Sequence, residues 1–162
     1  MDYEGISFRK ADVQDCLALS ELKRAVWNTT YAGIYPQEKL NGYDIKKNEE
    51  IFREIVANSE IELYLAEDAD EIVGFMTVGK PYKLYEEYDQ EVGLLYIRED
   101  YQRKGLGRHF IEIAKAEVIA KGFDRFVLSV NAQNAGAIAF YKAMGGEIVC
   151  DDGGQKRIIF TV

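Results

Sequence analysis

The sequence predicts one α/β domain, residues 1–162, built on a mixed sheet covered by helices. Three observations lead there. An apolar strand (92–97), a helix-period segment (105–121) and a second strand (126–130) follow in succession, a unit that implies a parallel pair. Alternating segments joined by short turns, 61–78 and 148–162, read as hairpins and imply antiparallel pairs elsewhere. The chain has 162 residues, 48% hydrophobic and 30% charged with 2 Pro, enough for one core and too apolar for disorder.

In chain order, Ile6 and Phe8 alternate with polar neighbours as a short first strand. Asp12 is the expected N-cap of a helix in which Val13, Cys16, Leu17, Leu19 or Ser20, and Val26 or Trp27 recur to about Thr30. Pro36 suits the first turn of a second helix, and 45–57 carries Ile51 and Ile55 with charges on the other faces. Ile61, Leu63 and Leu65 alternate with Glu62 and Tyr64, the turn falls at 67–70, and 72–78 is the return strand. The stretch 80–90, with Tyr82, Tyr85 and Tyr88 among charges, is expected as a loop or irregular edge. The helix at 105–121 should bury Leu106, Phe110, Ile113, Ala114 and Val118. A last helix runs from about Asn134 to Met144 and stops at Gly145-Gly146. Two strands, 148–150 and 157–162, close the chain around Asp-Asp-Gly-Gly.

Twenty basic and 28 acidic side chains leave a net charge of −8, which argues against a general nucleic-acid binder. It is compatible with a cationic small molecule or a basic peptide as partner. Cys16 and Cys150 cannot make a disulfide framework or a four-thiolate metal site, so both are expected as plain buried thiols in a reducing compartment. The first 30 residues hold no basic segment followed by an apolar one, and no apolar run approaches the ~20 residues of a bilayer span. Asn28-Thr29-Thr30 fits the glycosylation pattern, but without a secretory route it carries nothing. No membrane partner and a cytoplasmic location follow as expectations.

Three familiar signatures fail. Gly74 to Lys80 has P-loop spacing, yet Pro81 stands where a hydroxyl should hold magnesium and the interior reads as strand. Gly105-x-Gly107 could open a dinucleotide fingerprint, but Phe110 replaces the third glycine and Asp124 precedes its strand. The single histidine, His109, cannot build a His-rich metal site, and no metal is expected.

What survives is Leu94 to His109. After an apolar strand, Gln102-Arg103-Lys104-Gly105-Leu106-Gly107 opens directly into a helix. Glycines let the backbone turn and a ligand approach the N–H groups, and the helix start adds unpaired donors and a positive dipole end. Arg98, Arg103, Lys104 and Arg108 put four cations into 11 residues against Glu99 and Asp100, a local +2 that suits phosphate or a helix start with solvated charges. In the segment Val130 to Gly145, Ala137, Phe140, Tyr141 and Met144 fall at i, i+3, i+4 and i+7. Periodicity alone makes Tyr141 a core tyrosine, and a spacing of 7 sets Asn134 near the same helical face.

Together the two segments resemble the GNAT N-acetyltransferase family. The Q/R-x-x-G-x-G/A pyrophosphate loop stands as Gln102 to Gly107, and N-x-x-N-x-x-A-x-x-F-Y-x-x-x-G stands as Asn131 to Gly145. The strand order matches from Ile6 to Val162, which implies a mostly antiparallel sheet with a central parallel pair, flanked by about four helices. The resemblance further implies acetyl-CoA as donor, CoA as product, and no metal. By position, Leu95 and Ile97, with Tyr96 between them, resemble the strand whose backbone pairs with pantetheine. Arg103, Lys104, Gly105, Leu106, Gly107 and Arg108 would hold the pyrophosphate, with Gln102 opening the loop. Asn134 resembles the polar residue on the CoA arm, and Tyr141 the tyrosine that protonates the departing thiolate.

A phenol of pKa about 10 can donate to a thiolate whose conjugate acid has a pKa near 8.5. Presenting an alkylamine of pKa about 10.4 in neutral form at pH 7 costs roughly 4–5 kcal/mol, so a carboxylate or water chain must take its proton. Glu91 resembles the catalytic glutamate of some members, six residues before Ile97, and fits equally a solvated strand-end charge. Peptide-acetylating members place a glutamate where this chain has Ser129. The acceptor region of the family matches Trp27, Thr30, Tyr31 and Tyr35 together with Tyr82, Tyr85 and Tyr88. The stretch Trp27 to Pro36 is similar to that of small-amine and polyamine-acetylating members, and aromatic faces suit an ammonium. Trp27 and Tyr31, at i and i+4, also suit packing of the helix on the sheet, the reading preferred for Trp27. A small-molecule amine acceptor is therefore expected, with a peptide or protein acetyltransferase and a non-catalytic acetyl-CoA-binding module as alternatives, and a homodimer left open.

Overall fold

A computed structural model describes residues 5–81, 88–151 and 153–162. The elements run β1 (Ile6–Lys10), α1 (Cys16–Thr30), α2 (Gln37–Asn41), α3 (Ile45–Ala57), β2 (Ile61–Asp68), β3 (Glu71–Gly79), β4 (Glu91–Ile97), α4 (Leu106–Ala120), β5 (Arg125–Asn131), α5 (Ala135–Ala143), β6 (Glu147–Asp151) and β7 (Gln155–Thr161). The seven strands are ordered β1-β2-β3-β4-β5-β7-β6. The β4–β5 pair is parallel, with Glu91 opposite Val127, and β1–β2, β5–β7 and β6–β7 are antiparallel. The mixed, mostly antiparallel sheet with its central parallel pair is thus the fold expected from the sequence, with five α-helices among the described residues where about four were expected.

The chain divides into two compact units, Met1–Thr77 with Leu94–Gly107, and Val78–Gly93 with Arg108–Val162. In the first, α1 and α3 bury Cys16, Leu19, Leu22, Val26, Phe52 and Ile55 against Leu63, Leu65 and Phe75. The N-terminal turn of α1 forms as Asp12 predicts. Its side chain accepts from Gln14 N–H at 2.8 Å, while Asp15 Oδ2 accepts from Asp12 N–H at 2.8 Å. Val13 and Leu17, placed on the apolar face by spacing, are instead exposed: Val13 lies in a short 3-10 turn ahead of α1, and Leu17, one step of about 100° beyond Cys16, falls off the face that buries Cys16, Leu19, Leu22 and Val26. The helical stretch after Pro36 is likewise two helices, with Asp44 capping α3 by accepting from Lys47 N–H at 3.0 Å.

In the second unit, Phe126 and Phe160 stack at 5.0 Å, and α4 buries Phe110, Ile111, Ala114 and Val118. Ile113 is only partly buried, since Ile111 takes the inner position, and Cys150, expected to be buried like Cys16, is exposed because β6 is the last strand of the sheet. Helix α5 ends in a Schellman motif. Gly146 N–H donates to Tyr141 O at 2.8 Å and Gly145 N–H to Lys142 O at 3.0 Å, with Gly145 at φ +97°.

Candidate active site

Strand β4 differs from its neighbours in exposure. Residues 73–79 of β3 are all buried, as expected of an interior strand. On β4 the backbone of Gly93 is exposed and Leu94, Leu95, Tyr96 and Ile97 are only half-buried, an apolar strand left partly open to solvent. Leu94 N–H donates to Thr77 Oγ1 at 3.0 Å, so a side chain takes the place of a ladder carbonyl. Leu94 and Tyr96 pack on the core of the first unit. Alternation places Leu95 and Ile97 on the opposite face.

The loop after β4 is held from behind. Arg98 N–H donates to Val73 O at 2.9 Å, and Gln102 Nε2 to Ile97 O at 2.9 Å. The Arg98 guanidinium pairs with Glu71 and forks onto Asp100 at 2.7 and 3.1 Å, which raises its pKa, chiefly through the Asp100 hydrogen bond. Arg98 is therefore engaged within the fold, and Arg103, Lys104 and Arg108 are the exposed cations of this segment. Arg103 stands at φ +61° and Gly105 at φ +94°, so the backbone reverses twice before α4 begins at Leu106. The first N–H groups of α4 have no partner within the helix. A turned loop with exposed cations, opening a helix N-terminus, suits an anionic group.

An aromatic cluster lies on the other side of this unit's sequence. Trp27 meets Tyr31 at 5.8 Å, Tyr35 at 5.8 Å and Tyr43 at 6.0 Å, and Tyr31 stacks on Tyr35 at 4.6 Å. Trp27 Nε1 donates to Tyr96 Oη at 3.3 Å, and Tyr96 stacks on Phe75 at 5.3 Å, tying α1 to β4. Trp27 thus has the packing contacts preferred for it. Lys39 Nζ sits 3.9 Å from the centre of the Tyr35 ring. Burial, then the neighbouring Tyr35, pushes the Tyr31 phenol up, so it stays protonated across the physiological range. Tyr43 was not legible as a member, because only the α2–α3 connection brings it to α1, where it donates to Ser20 O at 2.8 Å. Tyr82 and Tyr85 lie outside the described residues. Tyr88 belongs to the second unit, buried with the Arg125 guanidinium 4.9 Å from its ring.

The second unit carries Glu91, Asn134 and Tyr141. Glu91 begins β4, half-buried, in the parallel register with Val127. Asn134 is the N-cap of α5, its Oδ1 accepting from Ala137 N–H at 3.2 Å, which leaves the amide nitrogen for other partners. Tyr141 is 9% exposed and meets Phe160 edge-on at 6.4 Å. Among the described residues no group of three or more His, Cys, Asp or Glu could hold a metal, and no helix is long and apolar enough to cross a membrane.

A spermidine N(1)-acetyltransferase of Thermoplasma acidophilum is 30% identical over 91% of this chain and 92% of its own length. The uncharacterized N-acetyltransferase YuaI of Bacillus subtilis is 28% identical over 91% of this chain and 83% of its own length. Among solved structures, the PaiA N-acetyltransferase of T. acidophilum in complex with coenzyme A superposes with a TM-score of 0.86. That match has 25% identity and covers 97% of this chain and 99% of the other. The acetyltransferase (GNAT) family model matches residues 25–145, from α1 through the whole loop and α5. The chain belongs to the GNAT acetyltransferase family.

Proposed function

We propose that this N-acetyltransferase, acting as one domain of residues 1–162, acetylates the primary amine of a small molecule in the cytoplasm, with polyamines the leading class. The observation that carries the acceptor class is the aromatic cluster of Trp27 on α1, Tyr31 and Tyr35 after it, and Tyr43 after α2. Tyr35 already takes a primary alkylammonium, that of Lys39, on its face at 3.9 Å, which is the chemistry a diamine or polyamine would present. Similarity to a spermidine acetyltransferase across nine-tenths of both chains supports the same class. The free thiol of exposed Cys150 suits a reducing compartment.

In this reading acetyl-CoA supplies an activated acyl group. The half-open β4 offers backbone to its pantetheine, Arg103 to Arg108 its N–H groups and cations to the diphosphate, and Asn134 its amide nitrogen to the CoA arm. Glu91 accepts the proton that the ammonium must lose, and Tyr141 Oη donates one to the leaving sulfur. Trp27 and Tyr31 serve the acceptor side, the role that the sequence also gives to Tyr82.

The test is acetyl-CoA-dependent release of free thiol across diamines, polyamines, aminoglycosides, amino acids and a lysine peptide. Turnover concentrated on diamines and polyamines is expected. Turnover confined to the peptide would overturn the small-amine reading, and none at all with acetyl-CoA bound would favour a binding module. Tyr35→Leu should raise KM for a diamine about fivefold and leave KM for acetyl-CoA unchanged.

A further inference from the structure

Backbone N–H groups turned toward a ligand cannot also fasten their loop to the fold, so side chains must hold such a loop from behind. We propose that Tyr101, braced by Asp68, is the strut that positions the pyrophosphate loop, an inference that rests on the assignment of 103–107 to that role. Tyr101 directly precedes Gln102, and its Oη donates to Asp68 Oδ2. Asp68 is the last residue of β2, and the turn that follows holds Ala69 at φ +54°. The same turn supplies Glu71 to Arg98, so both carboxylates bracing the loop come from one hairpin.

The ring works as well as the hydroxyl. Lys104 Nζ lies 5.0 Å from its centre and the Arg98 guanidinium carbon 4.9 Å, so one aromatic platform places a loop cation and the cation that anchors the loop's entry. Arg103 holds a left-handed backbone at φ +61°, unfavourable for a residue with a Cβ. Such a conformation persists only where neighbours over-determine it. Tyr101 is two residues away and tethered at its ring tip, which supplies that constraint. The Asp68 hydrogen bond, more than any other contact, raises the Tyr101 phenol, so it remains the donor throughout the physiological range.

The probes are CoA and pantetheine, which lacks the diphosphate and nucleotide, with dissociation constants measured on the full chain. The wild type should favour CoA by at least about tenfold. Tyr101→Phe and Asp68→Ala should each weaken CoA about tenfold, leave pantetheine within about twofold, and together do no worse than either alone. Asp68→Asn, which restores an acceptor, should recover most of the loss. Tyr101→Leu also removes the Lys104 platform and should cost about thirtyfold. If it fails to fold, the phenylalanine variant, which keeps the ring, carries the test. In turnover the loss should fall on KM for acetyl-CoA, with kcat within about twofold. Unchanged CoA affinity in Tyr101→Phe and Asp68→Ala, or equal weakening of both probes, would overturn the strut. A wild type that does not distinguish CoA from pantetheine would instead overturn the loop assignment beneath it.

Discussion

Gly146 is the residue at which the fold is least forgiving around Tyr141. A methyl group there would stand 2.6 Å from Ile158 Cγ2, 2.9 Å from Phe160 Cζ and 2.9 Å from the Tyr141 carbonyl oxygen. Carbon atoms in good contact lie about 3.5–4.0 Å apart, so the overlap with Ile158 approaches roughly 1 Å. Ile158 and Phe160 are fully buried, and the Tyr141 carbonyl is fixed by the Gly146 N–H at 2.8 Å, so none of the three can simply swing away. Overpacking of this kind costs about 1–3 kcal/mol, and a clash with backbone belongs in the upper half of that range. For a chain of this length, about 2–4 °C of Tm per kcal/mol predicts that Gly146→Ala melts about 5–10 °C below wild type. Two neighbouring glycines serve as controls. Gly145→Ala meets nothing within 4 Å but must hold φ +97°, and should cost about 1 kcal/mol. Gly136→Ala also enters open space, near the start of α5 with no positive φ, and should stabilise by about 0.5 kcal/mol. Urea and thermal unfolding of the three variants should rank them 136, wild type, 145, 146. A Gly146→Ala protein as stable as wild type would refute the steric reasoning.

Tyr141→Phe should lower kcat at least about tenfold while CoA affinity stays within about twofold, and an undiminished rate would remove its role as proton donor. Gly105→Val puts a β-branched residue at φ +94° and should weaken CoA more than about tenfold, read by calorimetry. Survival of that affinity would remove the loop from the donor site. The Arg9 hydrogen bonds, first among the causes, hold the Asp15 carboxyl below the usual carboxylate range. A depressed folded pKa contributes stability that is complete above about pH 5 and is lost as pH falls through the unfolded value of about 3.9 and then the folded one. Acid unfolding of Asp15→Asn should therefore be flatter below about pH 5 than that of wild type, and parallel curves would count against the pair.

Much of the local chemistry was legible along the chain. Asp12 announces a helix start because a short polar side chain can satisfy an N–H two residues on, and it does so here, as Asn134 does three residues on where a helix was expected to begin. Gly145-Gly146 announces the end of α5 for the same local reason. The loop Gln102 to Gly107 and the segment Asn131 to Gly145 carry the resemblance to the family because ligand chemistry imposes residue types at short spacing. What periodicity misjudged was phase. Val13 and Leu17 lie on the predicted apolar stripe, but Val13 stands in a 3-10 turn before α1, Leu17 falls off the buried face of α1, and Ile111 displaces Ile113 inside α4.

Only the tertiary structure decided which charges are engaged and which aromatics meet. Arg98 counts among the loop's cations by sequence, yet Glu71, 27 residues away, shares it with Asp100. Tyr101 finds Asp68 across 33 residues, and Tyr43 joins Trp27 and Ser20 from the far side of α2. Hydrogen bonds and ring contacts of this kind depend on where two distant segments are brought together in space. Sequence spacing records the turn of a helix or the pleat of a strand, and it holds no such information about partners set by packing.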